Sequence, residues 1–174
     1  MKILWLLLFA GTLSLPFFSG GQRAYAHVAA DMPDPIAEVE YQMMLDFEPD
    51  DSTTRYKLAM VYYRLNKDAK AEAELAKVLK ADPFNFHALE GMGALKLRQE
   101  NFAAAVTYLT KAIQQNEKVS GAYYYLGLAK TGIADLAGAK EAFATGLEKC
   151  RAEEESNREI SLEQFREALG PRNL

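Results

Sequence analysis

Residues 52–85 read STTRYKLAMVYYRLNKDAKAEAELAKVLKADPFN, and the two stretches that follow, beginning at Phe86 and Ser120, align with them at a spacing of 34 residues without a gap. The eighth residue of each block is small (Ala59, Gly93, Gly127) and follows Leu58, Met92 or Leu126. The twentieth is always alanine (Ala71, Ala105, Ala139), the twenty-fourth is Leu75, Leu109 or Phe143, and the twenty-seventh is Val78, Ala112 or Gly146. A repeat of this length dictates an architecture in which each unit buries its apolar face against the next.

The physical content of one block is two amphipathic helices. Leu58, Val61, Tyr62 and Leu65, then Leu75, Val78 and Leu79, recur at three- and four-residue spacing, which predicts two helices of about 14 residues per block. Small side chains at the eighth and twentieth places let the paired helices approach where they cross. Asn101 and Asp135 stand where second helices begin and can accept from free amides there. Asp82-Pro83 ends the second helix of the first block, because a residue before proline is disfavoured in helical geometry.

These positions resemble the tetratricopeptide repeat, whose pattern is an aromatic, then Leu-Gly, then Tyr, followed by Ala, Phe, Ala and Pro. The likeness covers roughly residues 37 to 151. The first block is nearest the pattern, although Arg55 replaces the aromatic; Lys96 and Lys130 replace tyrosine, and Glu117 and Arg151 replace proline. The expected fold is all-α: a solenoid of three full repeats (52–85, 86–119 and 120–153) with one helix on each side.

Upstream, Ala37, Tyr41, Met44 and Pro49 occupy the twentieth, twenty-fourth, twenty-seventh and thirty-second places of a preceding block. The segment 27–51 therefore reads as a linker and a single helix from Pro35 to Phe47, with Asp34 as cap and Pro35 in the first turn. Downstream, over 154–174, Ser161 and Gln164 form a candidate capping box. Leu162, Phe165 and Leu169 mark one face of a short helix stopped at Gly170-Pro171, which would cover the last apolar face. The run Glu153-Glu154-Glu155 reads as a solvated surface.

Residues 1–26 have the order of a secretory signal peptide: Lys2, an apolar run from Ile3 to Leu15, Pro16, and Ala24-Tyr25-Ala26 as the cleavage site. The apolar run is shorter than the roughly 20 residues that a membrane-crossing helix needs. The expectation is cleavage after Ala26, leaving His27 first, no stable membrane span, and an exported chain, periplasmic or secreted. That chain would carry 18 basic against 24 acidic side chains, a net charge of −6, which disfavours nucleic acid as a partner. Its one cysteine, Cys150, cannot close a bridge within the chain, and reads as a quietly buried thiol.

Catalysis requires groups that converge on one reacting atom. Outside the signal segment there are only His27 and His87, with no Cys-x-x-Cys, no His-Glu-x-x-His and no phosphate loop, so the chain reads as non-catalytic and without cofactor or metal. A copper site on a free His27 is the remaining chemical alternative.

The resemblance implies a binding groove lined by the second, fifth, ninth and twelfth residues of each block. These are Thr53, Tyr56, Met60 and Tyr63, then His87, Glu90, Ala94 and Leu97, then Gly121, Tyr124, Leu128 and Thr131, with Arg64 and Arg98 at the rim. Some relatives grip a C-terminal carboxylate with lysine and asparagine at the fifth and ninth places of the first repeat; Tyr56 and Met60 stand there. The expected ligand is a hydrophobic protein segment or peptide, bound by burial on tyrosine and methionine. The function implied is that of an adaptor outside the cytoplasm, of the kind found in envelope assembly and in c-type cytochrome maturation. Two alternatives stand beside it: Tyr56, Tyr63 and Tyr124 simply pack against one another or against the terminal helices, or the chain self-assembles into homo-oligomers through exposed repeat faces or its C-terminal helix.

Overall fold

The structure, a computed structural model, describes residues 32–152 and 160–170. The cleavage site after Ala26, His27, and the run Glu153-Glu154-Glu155 lie outside the described residues. The unit from Pro33 onward contains, among the described residues, eight helices: α1 (Asp34–Phe47), α2 (Ser52–Arg64), α3 (Asp68–Ala81), α4 (Phe86–Arg98), α5 (Phe102–Gln115), α6 (Ser120–Gly132), α7 (Leu136–Ala152) and α8 (Leu162–Ala168). None of them is long and apolar enough to cross a membrane.

The 34-residue register is carried into helix starts. α2, α4 and α6 begin at Ser52, Phe86 and Ser120 and run 13 residues each. α1, α3 and α5 begin at Asp34, Asp68 and Phe102 and run 14. α1 thus stands in the register of the second helices. Each helix packs on the next in sequence, and α4 also touches α2 and α6, so the first helices of successive repeats lie side by side. The result is an all-α solenoid of helical hairpins.

Close approach within each hairpin depends on the eighth residue. A Cβ on Gly93 would lie 2.4 Å from Leu109 Cγ, and one on Gly127 would lie 2.4 Å from Phe143 Cε1. Leu109 and Phe143 are fully or almost fully buried, so neither has room to retreat.

The turn inside each hairpin also repeats. Asn66, Glu100 and Ala134 have positive φ of 57°, 57° and 61°. In the first, Lys67 N–H donates to Tyr62 C=O at 2.8 Å and Asn66 N–H to Tyr63 C=O at 3.0 Å, and equivalent bonds close the other two. This is a Schellman ending, which satisfies carbonyls left over at the helix terminus. Only Asn66 is a residue that tolerates the left-handed region well. Ala134→Gly is therefore expected to stabilise the chain by about 1 kcal/mol, seen as a raised Tm; an unchanged Tm would show the turn to be unstrained.

The caps expected at Asn101 and Asp135 are present, with Asn101 Oδ1 accepting from Ala104 N–H and Asp135 Oδ1 from Gly138 N–H. α3 ends at Ala81, before Asp82-Pro83. The Ser161–Gln164 capping box is formed in both directions. One expectation is corrected. Asp34 does not cap α1; Pro33 takes that place with no side-chain bond, and the Asp34 carboxylate turns instead to Arg64 on α2, 2.6 Å away. A full guanidinium partner outweighs a cap bond on an exposed helix end.

α8 closes the array from within the same chain. Phe165, with no exposed surface, sits where a Cβ on Gly146 would be, and packs in a cluster with Ala139, Phe143, Cys150 and Ile160. The Cys150 thiol is buried and donates to Ile160 C=O at 3.2 Å.

Candidate functional site

Because the first helices stand side by side, their second, fifth, ninth and twelfth residues fall on one face. Tyr56, Met60, Tyr63, Leu97, Tyr124 and Leu128 are all half-buried there, each with part of its side chain in contact with solvent. The tyrosines are held by ring contacts rather than free. Tyr56 lies 5.1 Å from His87, and Tyr124 meets Phe165 edge-on at 5.3 Å and Phe143 at 5.8 Å. The packing alternative and the binding alternative are therefore compatible: one side of each ring is fixed and the other is presented. A ring fixed in advance loses little entropy when a partner covers it.

His87 keeps an exposed edge, but Tyr56 and Phe86 flank its ring, at 5.1 and 4.8 Å, and burial holds its pKa below the usual 6.5. At neutral pH it adds no positive charge to the face. Burial, and next the Glu167 carboxylate, raise the pKa of Tyr124 above 10, so its hydroxyl stays protonated. Glu90, only 4% exposed, lies beneath the face and not on it.

The two rim arginines have a structural duty. Arg98 donates from Nη1 to Tyr63 C=O at 2.7 Å and from Nη2 to the Asp68 carboxylate, and its guanidinium lies 3.7 Å from the Tyr63 ring centre. Arg64 donates from Nε to Asp34 Oδ1 at 2.8 Å. Both members of the second pair are displaced by 34 residues from the first, so one tie is used twice, from each first helix to the start of the preceding second helix. At the third instance Gly132 and Phe102 take the two places, and a Cβ on Gly132 would meet the Phe102 ring at 2.4 Å. Arg64 retains half its side-chain surface and Arg98 about a quarter.

At the third repeat the face deepens into a cavity of about 500 Å³ between α6, α7 and α8. Its walls are Tyr124, Leu128 and Phe143 on one side and Gln164, Glu167 and Ala168 of α8 on the other, with Thr131 at the end. The sequence pattern pointed to Tyr124 and Leu128 but not to Gln164 or Glu167. The apolar stripe of α8 announced a docked helix without saying on which side of the last hairpin it would lie. The volume accepts one or two large apolar side chains, and Glu167 offers a negative group at its edge.

A stack of paired helices whose first helices stand side by side defines a class, the α-solenoid. Within it the repeat is specific: residues 52–85 match the family model of the tetratricopeptide repeat, and the fold is that of a tetratricopeptide-repeat solenoid. The chain is similar to the BBSome complex member BBS4 of Xenopus tropicalis (26% identity over 108 residues, 62% of this chain and 21% of that protein). The mouse BBS4 protein is similar at 25% over 117 residues, 66% of this chain and 22% of that one. The chain thus spans about a fifth of the length of these curated relatives.

Among solved structures, MamA from Desulfovibrio magneticus RS-1 superposes with a TM-score of 0.64 at 23% identity, covering 76% of this chain and 75% of that one. The first tetratricopeptide domain of Spaghetti (RPAP3), bound to the HSP90 peptide SRMEEVD, gives 0.55 at 24% identity, covering 68% and 92%. At these identities the likeness establishes the fold alone.

Proposed function

We propose that this chain is a non-catalytic adaptor that binds a hydrophobic protein segment along the face formed by α2, α4 and α6, anchoring it in the cavity beneath α8. The observation that carries the reading is the row of half-buried Tyr56, Met60, Tyr63, Leu97, Tyr124 and Leu128, ending in a cavity of about 500 Å³. Aromatic and methionine side chains bury large area and adapt in shape, and they are enriched at interface cores. The solved tetratricopeptide domain with a bound peptide supports a peptide as the ligand. Its ligand ends in acidic residues and a carboxylate, whereas Tyr56, Met60 and a neutral His87 provide no cationic clamp here. A segment with a large apolar residue fits this face better.

The place of action proposed is outside the cytoplasm, periplasmic or secreted, on the strength of the signal-like order of residues 1–26, with envelope or cytochrome c assembly as the process served. Self-assembly through the terminal helix is the less favoured reading, because α8 already sits on its own last hairpin with Phe165 buried.

Two measurements test the proposal. A photo-crosslinker at Thr131, exposed at the end of the cavity, should capture a protein partner in envelope extracts, and Tyr56→Ala should reduce that capture at least fivefold. Capture that is absent, or that Tyr56→Ala leaves unchanged, would count against the groove. Intact-mass measurement of the exported chain should give His27 as first residue; a chain retained with Met1 in the cytoplasm would defeat the assignment of compartment.

A further inference from the structure

We infer that the outer face of α1 is a second docking surface, separate from the groove, whose occupant is a basic amphipathic helix of another protein. Ile36, Val39, Met43 and Phe47 are 57%, 55%, 56% and 83% exposed. Their spacing of three, four and four places them in one stripe along the helix.

The repeat itself supplies the control. The positions 34 residues on, in α3, are Lys70, Ala73, Lys77 and Ala81, all exposed; those in α5 are Ala104, Thr107, Lys111 and Gln115. The fold is therefore satisfied with small or polar residues at these places, and nothing in the packing of a hairpin calls for four large apolar ones. Met44 extends the stripe: it is 45% exposed, whereas its counterparts Val78 and Ala112 are buried. At the C-terminal end, Met44, Phe47, Glu48, Asp51 and Thr54 enclose a recess of about 160 Å³, room for one apolar side chain.

Charge selects the occupant. By helical spacing Glu40 and Asp46 flank the stripe on its two sides, and Glu48 and Asp50 close its end. Among the described residues none of these four takes part in an ion pair, while Asp34 and Glu38 are occupied by Arg64 and by Lys67 and Lys70. α1 carries no basic residue. Pairing with a second copy through the same face would oppose these acids to one another, and an anionic membrane would repel them. A helix with an apolar stripe bordered by lysine or arginine meets both features of the face at once.

The test uses the full chain and two synthetic 14-residue helical peptides that share one leucine stripe, flanked by lysines in one and by glutamates in the other. The lysine peptide should bind saturably, at least tenfold tighter than the glutamate peptide, with amide shifts confined to α1 and the turn to α2. Met43→Asp with Phe47→Asp should weaken it at least tenfold while the helical circular dichroism is kept, since both side chains are exposed. Equal affinity for the two peptides, shifts centred on α2, α4 and α6, or full binding by the double variant would overturn the inference. So would a free chain that sediments as a dimer and is dissociated by the double variant.

Discussion

Phe165→Ala should release α8 from the last hairpin. The ring is buried without residue between Gly146, Tyr124 and Phe143, and truncating such a ring costs about 3–5 kcal/mol. A seven-residue helix has little stability apart from its packing, so the cost is expected as local opening and not as global unfolding. Cys150 provides the readout. Its thiol has no exposed surface and is bonded to Ile160 C=O, two residues before α8, so it should be inert in the parent and alkylated rapidly in the variant. The cavity should disappear too, because Gln164, Glu167 and Ala168 form one wall. A Cys150 that stays protected in Phe165→Ala would mean that α8 is held by something other than this ring.

The helices of the repeats were legible because their cause is periodic. Small residues at the eighth and twentieth places and apolar ones at the twenty-fourth recur where helices cross, and the first helices accordingly begin at Ser52, Phe86 and Ser120. What the pattern left unread depends on partners a single block does not contain. Arg64 and Arg98 read as rim residues because their partners, Asp34 and Asp68, lie 30 residues upstream in the preceding block. The common 34-residue offset of the two pairs was the signal that could have found them. Met44 occupies a core position by register, yet it is exposed, whereas Val78 and Ala112 at the same place are buried. Glu90 shares its place with Tyr56 and Tyr124 but lies buried, and no spacing rule separates the three.

The second large effect is expected at Gly127. Gly127→Leu inserts four carbons where a Cβ alone would stand 2.4 Å from the Phe143 ring, and it should destabilise the third repeat by about 3 kcal/mol. The alanine variant is the finer probe, because two effects oppose each other. Alanine in place of glycine favours a helix interior by about 1 kcal/mol, whereas forcing the buried ring aside costs about 1–3 kcal/mol. The clash should win, and Gly127→Ala should lower Tm. The first repeat shows how the same crossing accepts a methyl group: Ala59 and Leu75 hold the eighth and twenty-fourth places there, and both are buried. Gly127→Ala combined with Phe143→Leu recreates that pair, so the double variant should be more stable than the sum of the two single effects predicts, by at least about 1 kcal/mol. Purely additive losses across the four proteins would show that the Gly127–Phe143 contact does not limit the approach of α6 to α7. Coupling of the expected sign would mean that the eighth and twenty-fourth places of the third repeat are chosen jointly, Gly127 making room for the Phe143 ring. That joint choice sets how far the helices of the last hairpin stand apart, and with it the width of the cavity that Tyr124 and Leu128 open toward a partner.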